Sequence, residues 1–130
     1  MNINITNGAE HLSIAFEDFC PGTLSDFDES WLDGAVDVLC NKLSYKYLIS
    51  FQPNDILSFI KEIEELLNFK KKDALFCCIE KWIRINIFAQ DSLGHYKVVF
   101  EIRHDETEIK SSFTIAFNDL KNITDQCHLK

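Results

Sequence analysis

From His11 to Glu17 the residues alternate, with Leu12, Ile14 and Phe16 on one face, which is the period-two signature of a strand. Pro21-Gly22 then marks a turn or loop. Alternation resumes over Trp31–Leu43, where Leu32, Val36, Val38 and Cys40 oppose Asp33, Ala35, Asp37 and Asn41. That period places Asp33 and Asp37 on the outer face of a half-buried strand. Tyr45, Tyr47, Ile49 and Phe51 share one side of a third strand, joined through Leu43-Ser44 by a hairpin or by a bend within one long strand. The period then changes. Across Gln52–Phe69, Ile56, Leu57, Phe59, Ile60, Ile63, Leu66 and Leu67 recur at helical spacing and form an apolar stripe. Pro53 suits the first helical position, Asp55 sits near the positive end of the dipole, and Lys70, Lys71 and Lys72 favour the carboxyl end. Burying the stripe is worth on the order of 10 kcal/mol before entropy, so this helix is expected to cover a sheet.

Ala74–Glu80 and Trp82–Gln90 read as further strands, with Ile83, Ile85 and Ile87 opposing Trp82, Arg84, Asn86 and Phe88. Asp91-Ser92-Leu93-Gly94 supplies a turn. Tyr96, Val98, Phe100 and Ile102 make the next alternating face; Asp105–Thr107 turns the chain, and Ile109, Phe113, Ile115 and Phe117 return it. Asn118 is the expected N-cap of a short final helix that carries Leu120, Ile123 and Cys127 inward. The predicted fold is α+β, a mostly antiparallel β-sheet of about six to seven strands with one main α-helix packed on it and a short C-terminal helix. Residues 1–130 are expected to form a single globular domain, and the sequence shows no internal repeat, linker or low-complexity segment.

With 46% hydrophobic residues and eleven Phe, a chain of 130 residues can bury roughly two-thirds of its unfolded surface, which excludes a disordered acidic tail. The longest apolar run, Ala74–Ile79, is too short to cross a bilayer, and MNINITNGAEH lacks the features of a signal peptide. A cytoplasmic protein without membrane contact is expected. The five cysteines contain no C-x-x-C pair and read as mostly buried thiols of a reducing compartment, with Cys77 and Cys78 on opposite faces of a strand.

Charge changes the picture. The formal net charge is −8, yet residues 1–40 hold no Lys or Arg and eight acids: Glu10, Glu17, Asp18, Asp26, Asp28, Glu29, Asp33 and Asp37. All of the excess is therefore in the first third. Such a segment is either a solvated face or a surface that attracts a basic partner and speeds the encounter. Within it, Asp26, Asp28, Glu29, Asp33 and Asp37 surround Trp31, which either anchors a loop on the sheet or acts as an apolar hot spot ringed by carboxylates.

Tests for catalytic chemistry return little. Asp26, Asp28 and Ser30 open like a calcium loop, but Trp31 stands where the sharp turn needs glycine and Asp37 where a bidentate glutamate belongs, so no metal site is assigned. His11, His95, His104 and His128 lack metal-ligand spacing, no serine stands in G-x-S-x-G, and the four glycines do not cluster into a phosphate loop. The net charge opposes binding to nucleic acid. No catalytic residue and no cofactor follow from the sequence. A small carboxylate- or metal-dependent hydrolase using Asp26–Glu29 remains as an alternative, as does a regulatory protein-binding module.

The order of motifs resembles the WapI-type immunity family. The features are an early strand, D-F-D-E-S-W-L opening a long strand, a Pro-started helix, a late L-G-H-Y turn, and F-N-D-L before a short helix, together spanning about residues 12–128. The resemblance implies a small bacterial cytoplasmic protein that neutralises the toxic carboxy-terminal domain of a contact-dependent, wall-associated toxin, with no chemistry of its own. Toxins of that kind often act on RNA or DNA and carry basic surfaces, so the implied partner is a basic cognate toxin domain, a nuclease being one type. The implied contact residues are Asp26, Asp28, Glu29, Trp31, Asp33 and Asp37, the carboxylates pairing with Arg and Lys and Trp31 anchoring.

Overall fold

The structure, a computed structural model, describes residues 2–16, 32–78 and 83–127. Among these residues eight antiparallel strands form two four-stranded sheets. The first contains β1 (Asn2–Thr6), β2 (His11–Phe16), β3 (Leu32–Cys40) and β4 (Leu43–Phe51), followed by α1 (Pro53–Leu67). The second contains β5 (Asp73–Cys77), β6 (Ile83–Ala89), β7 (His95–His104) and β8 (Thr107–Ala116), followed by α2 (Phe117–Cys127). Both sheets are meanders in sequence order, so each strand pairs with its neighbour along the chain. Four strands and a helix occur twice. The architecture repeats where the sequence does not, because either half needs only alternating faces and a capped helix, which many sequences supply.

The strand faces follow the alternation, and the strand count rises from the expected six or seven to eight because β1 comes before the first strand read from sequence. Its isoleucines, Ile3 and Ile5, are fully buried, and its asparagines are on the other face. Between β3 and β4 the chain makes a tight hairpin, with Asn41 (φ 52°) and Lys42 (φ 69°) both left-handed, a handedness that matches the strand twist. Leu43 and Ser44, the expected connection, instead belong to β4.

Each helix is started by an aspartate that reaches back to the end of the preceding strand. Gln52 caps α1, Pro53 takes the first helical position, and the Asp55 carboxylate accepts the Gln52 N–H at 3.4 Å. In the second half the Asp119 carboxylate accepts the Ala116 N–H at 2.9 Å. The helix therefore begins at Phe117, and Asn118, the expected cap, lies inside it. Asp119 wins because its carboxylate lets strand β8 run into the helix without an intervening loop.

One buried cluster draws on every layer. Leu12, Ile14, Val36, Val38 and Phe51 come from the first sheet, Phe76, Ile85, Ile87, Val98 and Phe100 from the second, and Ile56, Phe59, Ile63, Leu120 and Ile123 from the helices. Gly34 lies under the Phe51 ring, where an added Cβ would fall 2.6 Å from Cε2. Helix α1 packs on β5 and α2 on β1, so the helix that follows each sheet lies against an edge strand of the other. The Glu62 carboxylate accepts the Leu75 N–H of β5 at 3.1 Å. The unpaired edge of β8 is served by the first half. Asn7 Nδ2 donates to the Thr114 carbonyl at 3.0 Å, and Asn41 Nδ2 donates to the Ser111 hydroxyl at 2.9 Å and the Ser112 carbonyl at 3.3 Å.

Candidate functional site

The pairing register of the first sheet fixes which residues share its outer face. One row crosses Ala15, Ala35 and Leu48; the next crosses Ser13, Asp37 and Lys46; beyond it lie His11, Leu39 and Ser44, and on the other side Asp33 faces Ser50. Small side chains dominate, so the few large ones stand out. Leu48 is 77% exposed and Leu39 is 40% exposed. Asp33 and Asp37 lie on the outer face, as their alternation predicted, and the register sets them on either side of the Leu48 row along β3. Asn2, Asn4, Thr6, His11 and Ser13 extend the face as a shallow polar groove of about 460 Å³.

The two carboxylates differ in surroundings. Asp37 lies 3.4 Å from His11 Nε2 and 3.9 Å from Lys46 Nζ. Both contacts are long and open to solvent, so they restrain the side chain weakly and stay available for exchange with a stronger partner. Asp33 accepts only the Ser50 hydroxyl, at 3.2 Å, and has no cation beside it among the described residues.

The other expected site residues, Asp26, Asp28, Glu29 and Trp31, lie outside the described residues, so the structure brings together only Asp33 and Asp37 of the six. It adds Leu48, which the sequence reading did not single out. The signal was present, since the alternation that turns Tyr47 and Ile49 inward turns Leu48 out, leaving a leucine out of phase with the core.

Elsewhere the titratable groups serve the fold. The Asp91 carboxylate accepts the N–H groups of Leu93 at 2.8 Å and His95 at 3.2 Å and lies 2.8 Å from His95 Nδ1, which closes the turn before β7. The Leu93 N–H, then the His95 contacts, hold this carboxyl below the usual aspartate value. Burial pushes the Cys40 thiol up, against its hydrogen bond with Ser111. Cys40 and Cys78 are buried and Cys77 is exposed, in keeping with opposite faces for the adjacent pair. Among the described residues no three His, Cys, Asp or Glu side chains group so as to hold a metal ion, and no helix is long and apolar enough to cross a membrane.

Comparison with known proteins separates ancestry from shape. The model of the family described as "Immunity protein WapI-like family" matches residues 3–129. A search of curated proteins returns no match. Among solved structures, a crystal structure of Trypanosoma bruciei MRP1/MRP2 superimposes with a TM-score of 0.57 at 3% identity, over 98% of this chain and 79% of that one. A likeness at that identity concerns the fold alone.

Proposed function

Because the chain belongs to the immunity protein WapI-like family, a family typically non-enzymatic, we propose that it binds a cognate toxin domain through the outer face of its first sheet and so neutralises it. The observation that carries this reading is the exposed Leu48 row with Asp33 on one side and Asp37 on the other. An apolar side chain between carboxylates suits a basic partner surface: Arg and Lys pair with the acids while the leucine excludes water from the contact. Asp26, Asp28, Glu29 and Trp31 precede β3 directly in sequence and belong to the same proposed contact. The charge excess of residues 1–40 then steers a basic toxin domain, such as a nuclease, toward that face. The protein acts in the cytoplasm by occlusion, needing no cofactor, membrane or nucleic acid.

The test is a calorimetric titration with the carboxy-terminal domain of any large toxin encoded next to this chain's gene, at low and high salt. Wild type is expected to bind tightly and to weaken as salt rises. The triple variant Asp33→Asn, Asp37→Asn, Leu48→Ser should bind roughly tenfold or more weakly, with a shallower salt dependence. Binding indifferent to both the substitutions and salt would place the contact elsewhere, and no binding by wild type would end the immunity reading for that toxin.

A further inference from the structure

Strands β1, β4, β5 and β8 end the two sheets, and all but β4 are attended at their open side. Helix α2 lies on β1, helix α1 lies on β5, and Asn7 and Asn41 donate to β8. Beyond β4, among the described residues, no strand follows. The hairpin geometry fixes which backbone groups that edge presents. A two-residue turn at Asn41-Lys42 makes Cys40 and Leu43 a hydrogen-bonded pair, and pairing in an antiparallel ladder alternates, so Tyr45, Tyr47 and Ile49 bond back to β3. The N–H and C=O groups of Ser44, Lys46, Leu48 and Ser50 then point away from the sheet, and among the described residues none of them has a partner.

An open edge is a template for another strand, and proteins blunt such edges with proline, a bulge or charge. The register of β4 with β3 runs unbroken from Leu43 to Phe51, and the strand holds no proline. Its single charge, Lys46, excludes only the pairings that set it opposite a second cation. The strand is complementary to itself. In an antiparallel pairing about a two-fold axis at Leu48, Leu48 lies opposite Leu48 of the second copy and Lys46 opposite Ser50 of the second copy. Each of these residues directs its backbone groups at the other strand, as the pairing requires.

The charges agree with the same register. Ser50 faces Asp33 across β3 and β4, so Lys46 is aligned with Asp33 of the second copy. Two strand spacings of about 4.8 Å separate them, a span that a lysine and an aspartate side chain bridge together. Both groups are available. The Lys46 side chain is 76% exposed and reaches Asp37 only at 3.9 Å, and Asp33 bonds the Ser50 hydroxyl with no cation beside it among the described residues.

We propose that the chain forms a two-fold homodimer through β4, joining the two first sheets into one antiparallel sheet. Leu48 meets its own copy at the axis, and Lys46 pairs with Asp33 of the second copy on either side of it. Such an interface is isologous, since each copy offers the same strand to the other. The outer face then carries the two Leu48 rows end to end. This inference goes beyond the toxin reading and does not depend on it.

Sedimentation over a concentration series, with no toxin present, compares wild type with L48K, K46D, D33K and D33K/K46D. All three positions are exposed, so each variant should keep the wild-type circular dichroism. Wild type is expected to dimerise. L48K sets two cations opposite each other at the axis and should weaken the dimer roughly tenfold or more. K46D and D33K should each weaken it, and D33K/K46D, which restores opposite charges across the axis, should recover most of the loss. A wild type that stays monomeric throughout the series overturns the proposal, and so does a dimer that L48K leaves intact. A double variant no tighter than either single one overturns the Lys46–Asp33 pairing and the register built on it. Protection of the β4 amides from hydrogen exchange only when the toxin domain is added to a monomer would give this edge to the toxin and end the dimer.

Discussion

The Tyr47 ring stacks on His104 with centroids 4.7 Å apart and planes 27° from parallel, while its hydroxyl is buried with no hydrogen-bond partner among the described residues. Tyr45, two positions earlier on β4, reaches the same histidine differently, its hydroxyl 2.9 Å from Nδ1. One tyrosine therefore serves the junction between the sheets through its ring and the other through its oxygen. Burial, with smaller effects from Cys78 and Tyr45, drives the Tyr47 phenol well above its ordinary value of 10.

The two hydroxyls should respond oppositely to removal. Tyr45→Phe is expected to cost about 0.5–1.5 kcal/mol through the lost bond to His104, whereas Tyr47→Phe, which deletes an orphan buried group, should be neutral or stabilising by about 1 kcal/mol. Urea denaturation of both variants decides it. A larger loss for Tyr47→Phe would mean that its hydroxyl has a partner after all. The sign with pH follows from the raised value: burial disfavours ionisation in the folded state, so this group leaves stability unchanged below pH 10 and lowers it as pH climbs beyond that. Wild type should therefore unfold at lower alkaline pH than Tyr47→Phe.

Gly34→Ala should destabilise by about 1–3 kcal/mol, because the new methyl meets the fully buried Phe51 ring and that ring has no solvent to move into. In a Phe51→Leu background the penalty should shrink, and a double-mutant cycle by thermal melting measures the difference. An equal penalty in both backgrounds would point to the Ala15 carbonyl, 3.1 Å from the same Cβ, as the true obstacle.

Asp119→Ala removes the acceptor of the Ala116 N–H and should cost about 1 kcal/mol. Asp119→Asn should recover part of it. Hydrogen exchange at Ala116 provides a local reading: the amide exchanges faster in the alanine variant if Asp119 holds it, and at an unchanged rate if it does not.

Asp91 gives the molecule an acid-sensitive turn. Its carboxyl is held below the ordinary aspartate value of 3.8, so the stabilisation is complete above that pH and is lost as pH falls through the lowered value. Asp91→Asn should flatten the fall of melting temperature below about pH 4. A wild-type curve retained in the variant would assign that fall to other carboxylates.

Periodicity made the faces of this protein legible before its architecture. Ile56, Phe59, Ile60, Ile63 and Leu66 are buried along α1 as their spacing requires, and Asp33 and Asp37 face outward for the same reason. Alternation names the face of a residue and not its partner strand, so the division into two sheets was out of reach. Five-residue β1 carries only two apolar positions, too few to stand apart from a polar terminus. Asn118 looked like a cap because cap preference is a property of residue type, while the deciding contact was the reach of Asp119 back to Ala116. Phe69, left-handed at φ 60° and 82% exposed just past the end of α1, was hidden for a related cause. Placed inside a helix ending at residue 69, it had neither a left-handed backbone nor an exposed ring to explain.

The helix against each edge strand comes from the other half, and this sets an order on synthesis. The half that bears Asp33 and Asp37 has all four of its strands outside the ribosome once Phe51 has emerged, but the helix that lies on β1 is translated after all eight strands. At about 5–20 residues per second that interval lasts on the order of several seconds. Throughout it a nascent strand edge is open to its neighbours on the same polysome, and the face proposed to meet the toxin is complete in sequence before the sheet that carries it is closed in structure.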